Sequence, residues 1–306
     1  MAKATIVLLT KNGEKYLQSV LKAIYRQRSI FTYDVLAIDS GSTDKTLTIL
    51  RNFPIKLYTI PPKDFGHGKT RNLGVKFAKG SKYIIYLTQD ATPANNKWLN
   101  NLILPMEKDA QVAGVYSRQI PYPDCNPLEE RDITTFLNDK RKNKKIKFDE
   151  NRTNRKYSNY NVDKLILFSN VSSCIRKTVL RHIPFNENIL MCEDQEWCKR
   201  ALEKGFVVVY QPKSKVFHSH NFSLKKLYQR NFDYGLSFRK FLSWEHSLSE
   251  IVVIALKQTL EDWRYILLVY KTDIFTKIKW IFFSPLYRFA VHIGKHRGYV
   301  YVKDLV

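Results

Sequence analysis

Carboxylates and imidazoles at the ends of apolar runs are the residues of this 306-residue chain that could do chemistry. Asp90 follows YIIYLTQ and is succeeded by ATP, so a metal ion held there needs a second ligand from elsewhere in the chain. HSH at 218–220 offers one, because in extended chain His218 and His220 point to one side with Ser219 opposite. Two imidazoles on one face at a strand end suit a metal ion, as a pair of structural histidines also would. Glu193 and Asp194 open the helical stretch EDQEWCKRALEKG, where the helix dipole stabilises negative charge. That placement fits simple capping, and an aspartate kept ionised at a helix start is equally what a general base needs to take a proton from a hydroxyl group.

Two further stretches carry polar groups at element boundaries. Asp39 ends YDVLAID and is followed by SGSTD, in which Ser42 or Thr43 could cap a helix; the same carboxylate could accept from the ring N–H of a pyrimidine. KDFGHGKTRNLG places two glycines beside His67, Lys69 and Arg71 at the start of a helix, where free N–H groups attract phosphate. Its spacing matches neither GxGxxG nor GxxxxGK[ST], so a dinucleotide fingerprint and a P-loop are disfavoured. The alternative there is a basic surface loop.

The elements that must position these groups alternate through residue 118. Short apolar strands (ATIVLLT, YDVLAID, IKLYTI, KYIIYLTQD, QVAGVYS) are separated by helical stretches such as EKYLQSVLKAIYRQ, a pattern of βαβ units and a parallel sheet. Ligands of such sheets sit at the carboxyl ends of strands. Thr10 to Glu14, which includes Asn12, Asp39 to Asp44, and Gln89 to Thr92 all fall there. Residues 119–165 interrupt the pattern with a basic insertion containing KRKNKKIK. FSNVSSCIRK, FVVVY and SKVFHSH then read as strands, with Gly205 as a helix C-cap. A domain over 1–222 is thus expected to precede a helical, basic and aromatic region over 223–306.

Lys and Arg number 51 against 28 Asp and Glu, a formal net charge of +23 that favours an anionic partner. Four cysteines without a CxxC pair support neither a zinc knuckle nor a disulfide framework and point to a reducing cytosol. The N-terminal apolar run is too short for a signal sequence, and no stretch reaches the roughly 18 apolar residues of a spanning helix. A cytoplasmic protein is expected.

Together, IVLLTKNGEKYL, VLAIDSGSTDKTL, FGHGKTRNLG, YLTQDATP, MCEDQEWCKRALEKG and KVFHSHNFSLKKLYQRNFDYG resemble, in order and spacing, the family 2 glycosyltransferases of the GT-A fold, and among them bacterial rhamnosyltransferases. The resemblance covers most of the chain. It implies a Rossmann-like mixed, mostly parallel α/β sheet flanked by helices, with a helical C-terminal extension. It also implies a nucleotide-sugar site drawn from Thr10, Asn12, Asp39, Ser42, His67, Lys69, Arg71 and Gln89. Asp194 matches the family's base, and Glu193, Trp197 and Arg200 are expected at the acceptor, with Trp197 as a platform for a sugar ring or else a core residue. The usual DxD is reduced to Asp90-Ala91-Thr92, and relatives complete the metal site with a histidine about two dozen residues after the base, the position of His218. Asp90 and His218, with His220 as second choice, are the expected ligands of Mg²⁺ or Mn²⁺.

The implied reaction is an inverting transfer, with dTDP-β-L-rhamnose as preferred donor and a saccharide or polyprenyl-linked acceptor. Lys277, Lys279, Trp280, Phe282, Phe283 and Tyr287 suit an interfacial helix on an anionic leaflet, which would hold the chain at the inner face of the cell membrane; the same aromatics could pack on the first domain or on another subunit of a homo-oligomer. A nucleic-acid-binding protein is disfavoured because no recognisable motif accompanies the charge. A non-catalytic saccharide-binding relative at the membrane is the remaining alternative.

Overall fold

ATIVLLT forms strand β1, Ala4–Thr10, and its unbroken apolar run is what a strand covered on both faces requires. The computed structural model describes residues 4–135, 144–146, 166–242 and 247–301, so most of the basic insertion, including most of KRKNKKIK, lies outside the described residues. β1 pairs in parallel with β2 (Tyr33–Asp39) and β4 (Tyr83–Thr88), and β3 (Lys56–Thr59) continues outward from β2. Past β4 comes the antiparallel strand β8 (Ser172–Arg176), then β6 (Val112–Ile120) and β9 (Val207–Phe217), which run parallel to each other. The two-residue strand β5 (Thr92–Pro93) and β7 (Lys144–Ile146) both pair antiparallel with β9.

Alternate side chains of each inner strand feed opposite cores. Ile6 and Leu8 of β1 and Ala37 of β2 face one; Val7, Leu36 and Ile38 face the other. Helix α1 (Glu14–Tyr25) covers the first core with Leu17, Val20, Leu21 and Ile24, the i, i+3, i+4, i+7 stripe that a 3.6-residue period puts on one side. Helices α2 (Thr46–Arg51), α3 (His67–Phe77) and α4 (Trp98–Lys108) complete the crossovers. The two short strands expected around FVVVY and SKVFHSH are one strand, β9, because β6 keeps pairing with it on both sides of a register shift between Ser117 and Arg118.

Helices α5 (Pro127–Thr135), α6 (Lys177–His182) and α7 (Glu193–Glu203) precede the C-terminal helices α8 (Leu224–Phe238), α9 (Leu248–Leu268) and α10 (Ile274–Tyr301). Gly205, at a φ of 81°, takes the left-handed conformation expected just after α7. The backbones of α8 and α10 touch at Gly235 and Gly298, where any Cβ would collide with the carbonyls of Lys295 and Phe232. Buried Asp262 of α9 accepts from Arg131 of α5 and from Arg288 of α10, each at 2.6 Å, which ties α5 to the C-terminal helices. The pairing matters because an unpaired buried charge would cost several kcal/mol, about 3–5.

The C-terminal aromatics do not divide as the sequence suggested. Tyr287 is buried with its hydroxyl on Glu129, and Trp280 and Phe283 pack against the cluster of Leu128, Leu227 and Ile266. Phe282 is exposed as expected, and the other large apolar side chains open there are Leu268, Val269, Phe275, Ile278 and Leu286. No described helix is long and apolar enough to cross a membrane.

Candidate active site

Asp90 and the histidines meet because of β5. Thr92 pairs with Phe217, which sets Asp90, two residues earlier, beside His218, one residue after the strand end. His218 Nε2 lies 3.7 Å from Asp90 Oδ1, and His220 Nε2 lies 3.7 Å from Asp90 Oδ2. The two Nε2 atoms are 3.1 Å apart, and one ligand atom from each residue falls within 4.8 Å of the others. His218 Nδ1 is 2.9 Å from the Gln119 side-chain oxygen, which accepts from Nδ1–H, keeps the proton on Nδ1 and so leaves the Nε2 lone pair facing the cluster. Burial pushes the His218 pKa down to about 4, so the ring is neutral, the form that a metal ion requires. A 3.1 Å spacing suits adjacent ligands on one ion with bonds of about 2.1 Å, so the donor set fits a divalent cation. Both histidines belong to the cluster.

Asp194 stands at the start of α7, preceded by Cys192 in the left-handed conformation at a φ of 63°. Among the described residues only Asn12 and Cys192 take a positive φ without being glycine; Asn12 follows β1 and Cys192 precedes α7. The Asp194 carboxylate is half-buried and accepts from the backbone N–H groups of Asn170 and Gln195, each at 2.9 Å. Burial, and then the neighbouring Glu193 carboxylate, push its pKa up to about 7. Such a group holds a proton acceptor near neutral pH.

Glu193 turns inward and pairs with Arg71 at 2.6 Å, with both side chains almost fully enclosed. Its expected contact with an acceptor is therefore corrected: it fixes α3 to α7 and holds its charge beside Asp194. Trp197 is fully buried, packed on Phe168 and Phe185 with its indole N–H donating to the Ile183 carbonyl, so it is core and has no free face for a sugar. Arg200 forks onto both Glu196 oxygens at 2.7 Å and onto the Pro184 carbonyl, about two turns of helix beyond Asp194, and is not part of the cleft.

Around the first two strand ends, the loops are self-organised. Asp39 is fully buried and its carboxylate accepts from the Gly41 and Ser42 N–H groups and from the Thr10 and Ser42 hydroxyls. Those four bonds fill its acceptor sites, so it builds the loop and is not open to a base N–H as expected. Asn12 accepts from Thr43 N–H at 2.9 Å, and Gln89 clamps the Lys11 backbone with two 2.9 Å bonds. Helix α2 is not capped by Ser42 or Thr43; Asp44 accepts from Thr46 N–H instead. At the start of α3, Gly68 is required by the close approach of the Asn186 carbonyl rather than by a ligand. Lys69 is exposed and 3.6 Å from Asp64, whereas Arg71 is committed to Glu193. His67 lies half-buried near that pair, and burial and Arg71 lower its pKa.

Gln119 and Asn170 were not foreseen. Neither sits in a recognisable motif; each reaches the site only through a long-range strand register or loop contact.

The family model described as Glycosyl transferase family 2 matches residues 5–170, more than half of the chain. The chain belongs to glycosyl transferase family 2. This glycosyltransferase is 32% identical over 236 residues to the O-antigen chain rhamnosyltransferase RfbN of Salmonella typhimurium, covering 76% of this chain and 72% of the relative. It is 31% identical over 209 residues to the O-antigen chain rhamnosyltransferase WbaN of Salmonella anatum, covering 66% and 61%. The mannosyltransferase PcManGT of Pyrobaculum calidifontis, solved with GDP-Man and Mn²⁺, aligns over 96% of this chain and 87% of its own with a TM-score of 0.59 at 12% identity. Staphylococcus aureus TarS 1–349 aligns over 99% and 92% with a TM-score of 0.54 at 15% identity. The glycosyltransferase has the mixed sheet and flanking helices of the GT-A fold.

Proposed function

We propose that this glycosyltransferase moves L-rhamnose from dTDP-β-L-rhamnose to a hydroxyl of a saccharide or lipid-linked acceptor, in the synthesis of a bacterial surface polysaccharide. The similarity to two rhamnosyltransferases supports the sugar. The observation that carries the mechanism is Asp194, half-exposed in the cleft with its pKa pushed up to about 7. In a single displacement Asp194 takes the proton of the acceptor hydroxyl as the acceptor oxygen bonds to the anomeric carbon. The bond from that carbon to the diphosphate oxygen breaks with its electron pair, the nucleoside diphosphate leaves, and the configuration inverts. Asn170 and Gln195 hold the carboxylate in place through their N–H groups. A divalent ion held by Asp90, His218 and His220 would neutralise charge on the donor diphosphate. The loops of Asn12, Ser42 and Gln89 form the wall on which the nucleoside rests.

The lipid-linked acceptor accords with the turn joining α9 to α10. Leu268, Val269 and Phe275 project there beside Lys271, Lys277 and Lys279, a pattern suited to the inner, anionic leaflet of the cell membrane. A symmetric second copy would set these lysines against their own counterparts, which disfavours it as the occupant.

The test is release of nucleoside diphosphate from dTDP-rhamnose, UDP-GlcNAc, UDP-glucose and GDP-mannose with a lipid-linked saccharide acceptor, and the anomeric configuration of the product by NMR. Turnover of dTDP-rhamnose above the other donors with an α-linked product is expected. Preference for another donor would overturn the sugar assignment, and a retained β configuration would overturn the mechanism.

A further inference from the structure

Two cations within KVFHSHNFSLKKLYQRNFDYG, to which the resemblance gave no role, border the same site. Helix α8 begins just after the metal cluster, and Lys226, Arg230 and Tyr234 recur every fourth residue on one of its faces. At one end of this face, Phe222 stacks on His220 with centroids 4.7 Å apart and planes at 18°. Lys226 Nζ and Arg230 Cζ lie 5.2 and 5.5 Å from the centroid of that same Phe222 ring. At the other end, the Tyr234 hydroxyl reaches Gln195 Oε1 at 3.2 Å, and the Gln195 N–H donates to Asp194. Arg230 therefore stands on the helix between the metal cluster and the base. It is exposed, and among the described residues no carboxylate forms an ion pair with it or with Lys226. The nearby acidic group Glu129 is pushed up to about 7 by burial and by Asp132, and it accepts from the Tyr287 hydroxyl.

We propose that Arg230, with Lys226 one turn before it, forms the diphosphate-binding wall of the site, donating to the non-bridging oxygens of the nucleoside diphosphate and stabilising it as it departs. The planar guanidinium can grip two oxygens at once, and the ammonium adds a second positive charge to balance that of the diphosphate. Phe222 holds the two side chains over one ring, which limits the freedom they lose on binding. This inference rests on the transferase reading of the cleft and gives α8 a direct part in it.

Binding of dTDP and of thymidine is measured by calorimetry for the wild type, Arg230→Gln, Arg230→Lys and Lys226→Gln, with Mn²⁺ and with EDTA. Loss of one charge-assisted contact is expected to weaken dTDP binding about tenfold or more in Arg230→Gln, with partial recovery in Arg230→Lys and a smaller loss in Lys226→Gln. Thymidine affinity should stay within about twofold of wild type, which a merely structural role for Arg230 would not explain. A wild type that binds and turns over a nucleotide sugar, alongside an Arg230→Gln protein with unchanged dTDP affinity, would overturn this inference and leave the transferase reading intact. A wild type that binds none of dTDP, UDP or GDP would overturn both.

Discussion

Replacing Glu193 by Gln isolates what sets the proton affinity of the base. Asn170 touches both carboxylates, its backbone N–H 2.9 Å from Asp194 Oδ2 and its Nδ2 3.2 Å from Glu193 Oε1. Two charges bridged in this way are on the order of 6 Å apart, and at an effective dielectric of about 20 they repel by about 3 kcal/mol. That corresponds to about two pH units. Glutamine removes the repulsion and leaves the Arg71 charge, which itself favours ionised Asp194, without its partner. Both effects lower the Asp194 pKa, so the base is deprotonated at lower pH and the acid limb of the kcat profile moves from about 7 down by about one to two units. The unpaired Arg71 should also cost about 3–5 kcal/mol of stability, so the assay is run well below a melting temperature measured for each protein. An acid limb that stays in place, or moves to higher pH, in folded Glu193→Gln would refute the assignment of Glu193 as the group that tunes Asp194.

Other consequences follow from the same contacts. His218→Ala should weaken Mn²⁺ binding measured by electron paramagnetic resonance, and Gln119→Leu, which frees the His218 tautomer, should weaken it by about 10–100-fold. Trp197→Ala should destabilise the fold by about 3–5 kcal/mol in urea unfolding, whereas Trp197→Phe should leave the acceptor KM unchanged. Because the folded-state pKa of Asp194 is raised, its stabilising contribution is present at low pH and is lost as pH rises through about 7; Asp194→Asn should therefore melt at a higher temperature than the wild type at pH 8. Phe275→Ser with Val269→Ser should lower sedimentation with vesicles containing anionic lipid and leave turnover of a soluble acceptor analogue unaltered.

Local pattern made the strands legible, because a buried parallel strand must be apolar throughout and ATIVLLT and YIIYLT have no other use. Asp90 and the histidine pair were legible as possible partners through their places at strand ends, the preference for His218 over His220 came from the family resemblance, and the pairing of β5 with β9 brings all three together. Helix-face arithmetic failed for Trp197 and Glu193: periodicity correctly put them on one side of α7, but that side meets the core, and only the packing of Phe168, Phe185 and Arg71 reveals it. Asp39 misled for a different reason, since a carboxylate at a strand end serves its own loop as readily as a ligand, and three local donors and the Thr10 hydroxyl of the neighbouring strand occupy it. Arg230 and Lys226 were hidden in a basic helix whose orientation depends on backbone contact between α8 and α10 at Gly235 and Gly298.

The most direct test of the central claim is the rate of nucleoside diphosphate release by wild type and Asp194→Asn at pH 8, with dTDP affinity measured in parallel. Loss of the base should slow release on the order of 10²–10⁴-fold while dTDP binds as before. Turnover by Asp194→Asn within tenfold of wild type would contradict the assignment of Asp194 as the base.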